Sequence, residues 1–465
     1  CRRLRKGCAM GNIIDYARTE TRDFGELPFR EADALVLAQL SYDDVPECVP
    51  RLDDVESKYG TLRDRVKQFD VRRPIRSLHM LRKLPFNGVT IARADDELNH
   101  DQAVPDHDVE NVGLVDPQVT HDFYHAVASN PRFSDIEMGA FLEQFDGEEQ
   151  TQFAAVTYLL PSGALVVAYR GTDDSLVGWK EDFNMAFQYP VPAQATAADY
   201  LARVAALWKD VPIVLTGHSK GGNLAVYSGM KCAPFVQKRI QKIYSLDGPG
   251  FRPEVLKECH YNAIEGKVVK LLPHSSMIGM IFERDIHYRV VESNSHGLLQ
   301  HDPFSWLVEE DHFVDVGDIY ESQKIINEAL NEWILSLNEE QVRTFVETLY
   351  QVISASQADD LITFTADWKK SMNAVVTALK EVDDQTAEML RGIIRSLFEI
   401  AKVKVREELA PAKKPGRRFR NKKKEEKAEA HRPVPEDAPD ATAAQGSAAR
   451  HAPRLRGSRH RGSAE

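Results

Sequence analysis

The spacing of apolar residues changes along this chain, and the change predicts the order of its strands and helices. From residue 136, short apolar runs separated by polar turns predict three strands: IEMGAFLEQFD, TQFAAVTYLLP and ALVVAYRGT. Farther along, ATAADYLARVAALWKD and KGGNLAVYSGMKC have helical spacing, whereas PIVLTG, QKIYSLDGPG, KVVKLLP and HYRVVES are typical of strands. Hairpin-spaced strands followed by strands that alternate with helices predict an α/β fold with a mixed, mostly parallel sheet.

The segments on either side of this block have other patterns. Upstream, FREADALVLAQLSYDDV predicts a short helix, DDVESKYGTLRDRVKQF a polar helix, and NGVTIARADDELNHDQAVPDHDVENVG a loop or insertion. Downstream, apolar residues recur at three and four over residues 318–409, which predicts three or four amphipathic helices, either packed as an appendage or binding a partner. Residues 410–465 are rich in Pro, Ala, Lys and Arg, which predicts a disordered basic tail.

These patterns divide the 465 residues into four parts. We interpret residues 1–10 as an artefactual leader, 11–317 as one α/β domain in which 46–130 is partly insertion or loop, 318–409 as a helical region and 410–465 as the tail. No apolar run reaches about eighteen residues, so no transmembrane helix is expected, and the N-terminus lacks the apolar region of a secretory signal. The five scattered cysteines favour a reducing cytoplasm over a disulfide framework or a zinc site.

The net charge of −12 is unevenly distributed. Fifteen Lys and Arg and seven Asp and Glu follow residue 410, so the tail is near +8 and the remainder near −20. An acidic body is not expected to bind nucleic acid through its fold, whereas the tail could weakly contact an anionic membrane or only keep the chain in solution. The sequence has no phosphate loop, metal-ligand cluster or dinucleotide fingerprint, so no cofactor and no metal is expected. The oligomeric state stays open.

The stretch PIVLTGHSKGGNLAVYSG contains the candidate nucleophile. Gly217, Ser219 and Gly221 fit the Gly-x-Ser-x-Gly pattern, between a predicted strand and a predicted helix. There the glycines allow a strained turn that exposes the hydroxyl, and the helix N-terminus favours a developing oxyanion. Ser219 is therefore the predicted nucleophile. The alternative is an ordinary strand–turn–helix with an inert serine, because a hydroxyl needs a base to activate it.

Candidate partners for the serine follow in chain order. Asp247 ends the next strand and is either the acid of a triad or a turn-forming Asp-Gly. After the last strand, SNSHGLLQHDPFSW offers two candidate bases, His301 and His296. We prefer His301 and keep His296 as the alternative, because the residues after His301 are suited to fixing a loop, namely Asp302, Pro303 and Trp306. The backbone N–H groups of Thr172 and Lys220 are the predicted oxyanion hole.

Several of these motifs resemble known lipase patterns. VVAYRGTDDSLVGWKEDF and GHSKGG resemble class 3 lipases, including Trp179 and Asp182. More closely, residues 11–310 resemble a bacterial family of lipase-like α/β-hydrolases of unknown function, the Mbeg-like proteins, through the motifs PFREADALVLAQLSY, GHSKGGNLAVY, YSLDGPGF, SSMIGMI and QHDPFSW. The lipase resemblance implies an α/β-hydrolase fold with Ser219 as nucleophile. It departs from class 3 lipases at the acid, since they carry it after the following strand, where this chain has PHSSMIG.

Two functions are consistent with the sequence. The first is a serine esterase or lipase-like hydrolase that cleaves a small-molecule or lipid ester, or a thioester. The second is a catalytically silent lipase-fold scaffold that binds partners or membrane through the C-terminal helices and the basic tail. The apolar segment SSMIGMIF could line an acyl pocket, act as a lid or only pack in the core.

Overall fold

An eight-stranded sheet crosses the protein, and its strands lie side by side in the order in which the chain makes them. The computed structural model describes residues 10–101, 117–146, 151–172, 188–283, 287–295 and 297–320, and residues 185, 324, 327, 328, 331, 332, 335 and 388. The strands are β1 Val89–Thr90, β2 Glu137–Asp146, β3 Thr151–Leu159, β4 Leu165–Tyr169, β5 Ile213–His218, β6 Ile240–Leu246, β7 Val268–Pro273 and β8 Tyr288–Val291. A separate antiparallel pair consists of β9 Val308–Glu309 and β10 His312–Phe313.

The pairing within the sheet changes at β4. From β1 to β4 neighbouring strands are antiparallel, and from β4 to β8 they are parallel. The helices are α1 Ile13–Thr19, α2 Glu31–Gln39, α3 Leu52–Tyr59, α4 Leu62–Lys67, α5 Pro74–Arg82, α6 Ile91–Asp101, α7 Pro117–Ala128, α8 Pro192–Leu207, α9 Lys220–Lys231, α10 Pro234–Gln237 and α11 Pro253–Glu258. This is the α/β-hydrolase fold with a mixed sheet that the sequence predicts. None of the described helices is both long and apolar enough to cross a bilayer.

Alternate residues of the central strands face two different hydrophobic cores. In β4, Leu165, Val167 and Tyr169 pack with α8 and α9, whereas Val166 and Ala168 pack with α2 and α7. Because both faces are covered, β4 and β5 are buried along their whole length. Full burial of each large apolar side chain contributes about 1.5–3 kcal/mol, so the two cores hold the sheet between its helical layers.

The loop expected over residues 87–113 is wrong for residues 89–101. Residues 89–90 form the edge strand β1, and α6 follows directly. The helix buries Ile91, Ala94 and Leu98, whose spacing of three and four places them on one face. Because many acidic residues surround these three positions, the sequence pattern did not indicate a helix. Residues 102–113, which complete this expected loop or insertion, lie outside the described residues.

The C-terminal predictions fall mostly beyond the described residues. The described residues all belong to one unit of the chain, Cys1–Glu407. Within the predicted helical region, residues 318–320 are described and lie outside any helix, whereas the single described positions from 324 to 335, and 388, are helical. The domain limits at 317 and 409 and the disordered tail stay predictions.

A buried ion pair joins the N-terminal helices to the segment that leads into β2. The Arg132 guanidinium donates to both carboxylate oxygens of Asp33 at 2.7 Å, and both side chains are fully buried. The Tyr16 hydroxyl also donates to Asp33, at 2.8 Å. Arg132 donates in addition to the carbonyl oxygens of Arg22 and Leu27. The network therefore satisfies both buried charges with hydrogen bonds.

We expect Asp33→Asn to lower the free energy of unfolding by about 3–5 kcal/mol, because it leaves the Arg132 guanidinium as an uncompensated buried charge. Chemical denaturation of the full chain measures the change. Asp64→Asn is the matched control, since Asp64 pairs with Lys67 at the surface, and it should change stability little. Equal stability of the two variants would show that the buried pair is not what holds this region.

Candidate active site

Ser219 occupies a strained turn between β5 and α9. Its backbone has φ 56° and ψ −131°, a conformation that L-residues rarely adopt. The flanking glycines have no room for a side chain. A Cβ on Gly221 would lie 2.1 Å from the Tyr169 carbonyl oxygen, and one on Gly217 would lie 2.2 Å from the Gly221 carbonyl carbon. Strand and helix therefore approach closely enough to hold Ser219 at the end of the sheet.

Ser219, His301 and Asp247 form a continuous chain of hydrogen bonds. The Ser219 hydroxyl donates to His301 Nε2 at 2.9 Å, and His301 Nδ1 donates to Asp247 Oδ2 at 2.6 Å. The three residues come from the β5–α9 turn, the end of β6 and a short 3-10 helix, Gly297–His301. The structure thus brings together the three residues that the sequence proposes, in an order suited to proton transfer from the hydroxyl.

Asp247 is held from both sides at the carboxyl end of β6. Its side chain is buried, and its backbone is at φ 50° with the amide donating to the Leu271 carbonyl oxygen at 2.8 Å. While Oδ2 accepts from His301, Oδ1 accepts from the Ser276 hydroxyl at 2.5 Å. Both oxygens therefore have a hydrogen-bond donor, which fixes the orientation of the carboxylate.

The loop that carries His301 is held by its backbone. His218 Nε2 donates to the His301 carbonyl oxygen at 2.9 Å, and Trp306 Nε1 donates to the Gln300 carbonyl oxygen at 2.8 Å. The Gln300 side chain accepts from the Ser275 amide at 2.7 Å. The His301 ring is therefore positioned by the residue before Ser219, by the segment after β7 and by an indole in the core.

His218 performs its role as a neutral imidazole. Burial, and secondly the neighbouring His301, lower the pKa of His218 well below its usual range. The two rings lie 4.7 Å apart between centroids. Because a neutral ring has a single N–H, and Nε2 uses it for the His301 carbonyl, Nδ1 is left as the acceptor that faces the Tyr42 hydroxyl at 3.4 Å.

The two candidate oxyanion donors lie on neighbouring parts of the same sheet edge. Thr172 follows β4, Lys220 begins α9, and β4 pairs in parallel with β5, which leads into the nucleophile turn. The Lys220 side chain is buried, and its Nζ donates to the Gln152 carbonyl oxygen on β3 at 3.1 Å. Lys220 thus ties the start of α9 to β3 while its backbone faces the turn. The role of both amides in holding an oxyanion stays a prediction.

Several site residues were not found from the sequence. Ser276 lies within SSMIGMIF, for which the sequence analysis considered only apolar roles. Its position just after a strand does indicate a possible site residue, because active-site groups gather at the carboxyl ends of parallel strands. His218 lies inside the serine motif, but nothing local indicates that it holds the base loop. Asn327 donates to the Ser276 carbonyl oxygen at 3.0 Å and Asn331 to that of Met280 at 2.8 Å. Such contacts span about fifty residues and have no local pattern.

Some predicted residues lie outside those that the structure describes. They are the alternative base, His296, and the two lipase-pattern residues Trp179 and Asp182. In the segment after β7, Ser275 and Ser276 are buried, and Met277 to Ile281 are mostly half-buried. The alternatives of acyl pocket, lid and core packing for this segment therefore stay open.

Comparison with known proteins finds one family model and several solved structures to which parts of the chain are similar. A family model described as Mbeg1-like matches residues 127–351. No curated protein matches the chain. The chain is similar to lipase II from Rhizopus niveus, with 13% identity over 36% of this chain and 69% of that one, and a TM-score of 0.25. Two further similar structures are the lipase from Rhizopus microsporus var. chinensis and the Lip2 lipase from Yarrowia lipolytica.

The values for these two structures are alike. The Rhizopus microsporus lipase has 12% identity over 39% of this chain and 74% of its own, with a TM-score of 0.27. The Yarrowia lipolytica lipase has 15% identity over 47% of this chain and 80% of its own, also with a TM-score of 0.27. The family match covers the described sheet from β2 to β8 and all three residues of the hydrogen-bonded chain. The match of this family model to residues 127–351 confirms the resemblance seen in the motifs of that region.

Proposed function

We propose that this protein is a serine hydrolase that cleaves a carboxylic ester or thioester. The observation that carries the proposal is the unbroken chain of hydrogen bonds from the Ser219 hydroxyl through His301 to the buried Asp247. Such a chain can remove the serine proton as the hydroxyl attacks, which an isolated serine cannot do at neutral pH. The strained turn that presents Ser219 at a strand end also supports this function.

The first half of the proposed reaction forms an acyl-enzyme. Ser219 Oγ attacks the acyl carbon, and its proton passes to His301 Nε2. Asp247 accepts from Nδ1 and stabilises the imidazolium that results. The carbonyl oxygen becomes an oxyanion, which the amides of Thr172 and Lys220 bind near the positive end of α9. The C–O or C–S bond then breaks, and the leaving group takes the proton from His301.

The second half of the proposed reaction is hydrolysis of this intermediate. Water gives one proton to His301 Nε2 and attacks the acyl carbon, which forms a second oxyanion in the same place. When the bond to Ser219 Oγ breaks, His301 returns its proton to the serine and the carboxylic acid leaves. No further reactant is needed, and the enzyme returns to its starting protonation state.

The proposed substrate is a small-molecule or lipid ester with an apolar acyl chain. The half-buried apolar residues after β7 support this choice, because their segment adjoins Ser276 and hence Asp247. We place the reaction in a reducing cytoplasm, since Cys232 and Cys259 are buried thiols that form no disulfide.

A fluorophosphonate probe should label the purified full chain on Ser219, and intact-mass analysis measures the rate. Ser219→Ala should abolish labelling, and His301→Ala should slow it by about 10²–10⁴-fold, because the base is lost. Esters of p-nitrophenol with rising chain length then test the acyl preference.

Matched controls for this experiment are Ser162→Ala, in the exposed turn between β3 and β4, and His312→Ala, at an exposed position on β10. Both should label at the wild-type rate. A folded wild-type protein that takes no label would overturn the proposed hydrolase and favour the scaffold function.

Removal of the Ser276 hydroxyl should slow the probe reaction by about 10–100-fold, because Asp247 loses a hydrogen bond to a charged group. Ester turnover should show the loss in kcat with KM nearly unchanged, since Ser276 positions the acid and lies behind it. The variant is Ser276→Ala, and Ser276→Thr should recover much of the rate by restoring a hydroxyl.

Ser275→Ala is the adjacent control, because the Ser275 contact to Gln300 uses the backbone amide and survives the substitution. Equal rates for Ser275→Ala and Ser276→Ala would contradict a positioning role for Ser276. Melting temperatures of the variants separate a loss of positioning from a loss of fold.

A further inference from the structure

Residues 61–83 form an exposed apolar and basic surface that the proposed reaction does not use. It comprises α4, α5 and the loop between them, and we name it the α4–α5 surface. Among the described residues, half of the ten exposed large apolar side chains lie here: Leu62, Val66, Val71, Ile75 and Leu78. Val71 is 81% exposed and Ile75 is 84% exposed. An exposed apolar cluster of this kind marks an interaction site more often than an ordinary surface.

Each helix places its exposed apolar residues on one face. Leu62 and Val66 are four apart in α4, and Ile75 and Leu78 are three apart in α5. In α5 the opposite face faces the protein, with Ser77 buried and Met80 packed against the hydrophobic core. The apolar stripe of α5 therefore faces solvent because the other side of the helix is already anchored.

The loop between the two helices is held in place. The Asp70 amide donates to the Ser77 hydroxyl at 3.0 Å, and that hydroxyl donates to the Asp70 carbonyl oxygen at 3.2 Å. Ser77 is buried, so this link is shielded from water. Val71 and Ile75 are therefore presented by a preformed segment, and a partner has little ordering entropy to overcome.

The charge of this surface is opposite to that of the whole protein. Residues 61–83 contain eight Lys and Arg and only two Asp, whereas the chain carries a net charge of −12. Arg72, Arg73 and Arg76 are exposed on either side of the apolar residues. An acidic protein that concentrates positive charge around exposed aliphatic side chains is built to contact something anionic and apolar together.

We infer that the α4–α5 surface binds the surface of an anionic lipid bilayer, with its apolar side chains at the boundary between headgroups and acyl chains. Basic residues beside an exposed aliphatic face are the composition of helices that lie in the membrane plane. Each Lys or Arg gains from the potential of anionic headgroups. Nucleic acid would use the arginines but leave Val71, Ile75 and Leu78 in water, since base contacts favour aromatic stacking. This surface is separate from the basic tail, and the inference does not depend on hydrolysis.

Sedimentation of the full chain with lipid vesicles tests the inference. The protein should bind vesicles of phosphatidylcholine with about 30% phosphatidylglycerol, bind pure phosphatidylcholine much more weakly, and dissociate as salt rises toward about 1 M. The arginine variant combines Arg72→Gln, Arg73→Gln and Arg76→Gln. It should lower the vesicle partition coefficient by about 100-fold. Ile75→Ser with Leu78→Ser should weaken it by about tenfold or more, because less apolar area enters the boundary.

Two control variants isolate the surface. Phe235→Ser removes an exposed aromatic side chain on α10, which is distant in sequence from the α4–α5 surface. The tail variant combines Lys422→Gln, Lys423→Gln and Lys424→Gln and reduces the positive charge of the tail. Phe235→Ser should bind as the wild type does, and the tail variant should lose less affinity than the arginine variant. Melting temperatures should be unchanged, because the replaced side chains of the surface are exposed.

Four results would overturn the inference. The first is that the wild-type protein does not sediment with the anionic vesicles, and the second is that the surface variants bind as tightly as the wild type. The third is that only the tail variant loses binding. The fourth is that the apolar substitutions change the oligomeric state or RNA binding while vesicle binding is retained. A loss of vesicle binding confined to the two surface variants would establish it, whether or not Ser219 reacts with the probe.

Discussion

The turn between β5 and α9 has no space for a side chain at Gly217 or Gly221, and the position of the candidate site depends on this close approach. The helix passes so near the carbonyl oxygen of Tyr169 that β4, β5 and α9 are locked in one arrangement. The strained backbone of Ser219 persists because nearly every residue of α9 is buried. Packing of the whole helix thus maintains the conformation of one residue, and that residue faces the sheet edge where parallel strands end.

The other members of the site are fixed by contacts from outside their own loops. Asp247 is oriented by Ser276 from the segment after β7, and the backbone of His301 is held by His218, which directly precedes Ser219. His218 therefore couples the position of His301 to that of Ser219. Asn327 extends this support by binding the carbonyl oxygen of Ser276. The hydrogen-bond distances among Ser219, His301 and Asp247 are therefore maintained by contacts between each loop and a neighbouring strand end.

Charge is placed in two different ways in this molecule. Inside, Asp33 pairs with Arg132 and Lys270 with Glu283, and all four side chains are buried. Burying such a pair costs desolvation free energy, and the attraction between the charges offsets this cost only when their hydrogen bonds are complete. These pairs therefore contribute more to fixing one arrangement of the surrounding elements than to overall stability. Outside, positive charge collects on the α4–α5 surface, where it remains hydrated and available to a partner.

The sequence by itself determined the strands from β2 to β8, the helices α8 and α9, the turn that carries Ser219 and the chain order of Ser219, Asp247 and His301. These follow from local spacing, because side chains alternate along a strand and repeat every three to four residues along a helix. The helix α6 was missed for a local reason, because acidic residues surround its short apolar stripe. Tertiary structure alone decided that His301 reaches Ser219 and that Ser276 binds Asp247. It also decided that the apolar face of α5 stays uncovered. The physical reason is that these outcomes depend on which distant segments become neighbours, and residues tens of positions apart leave no periodic signal in the chain.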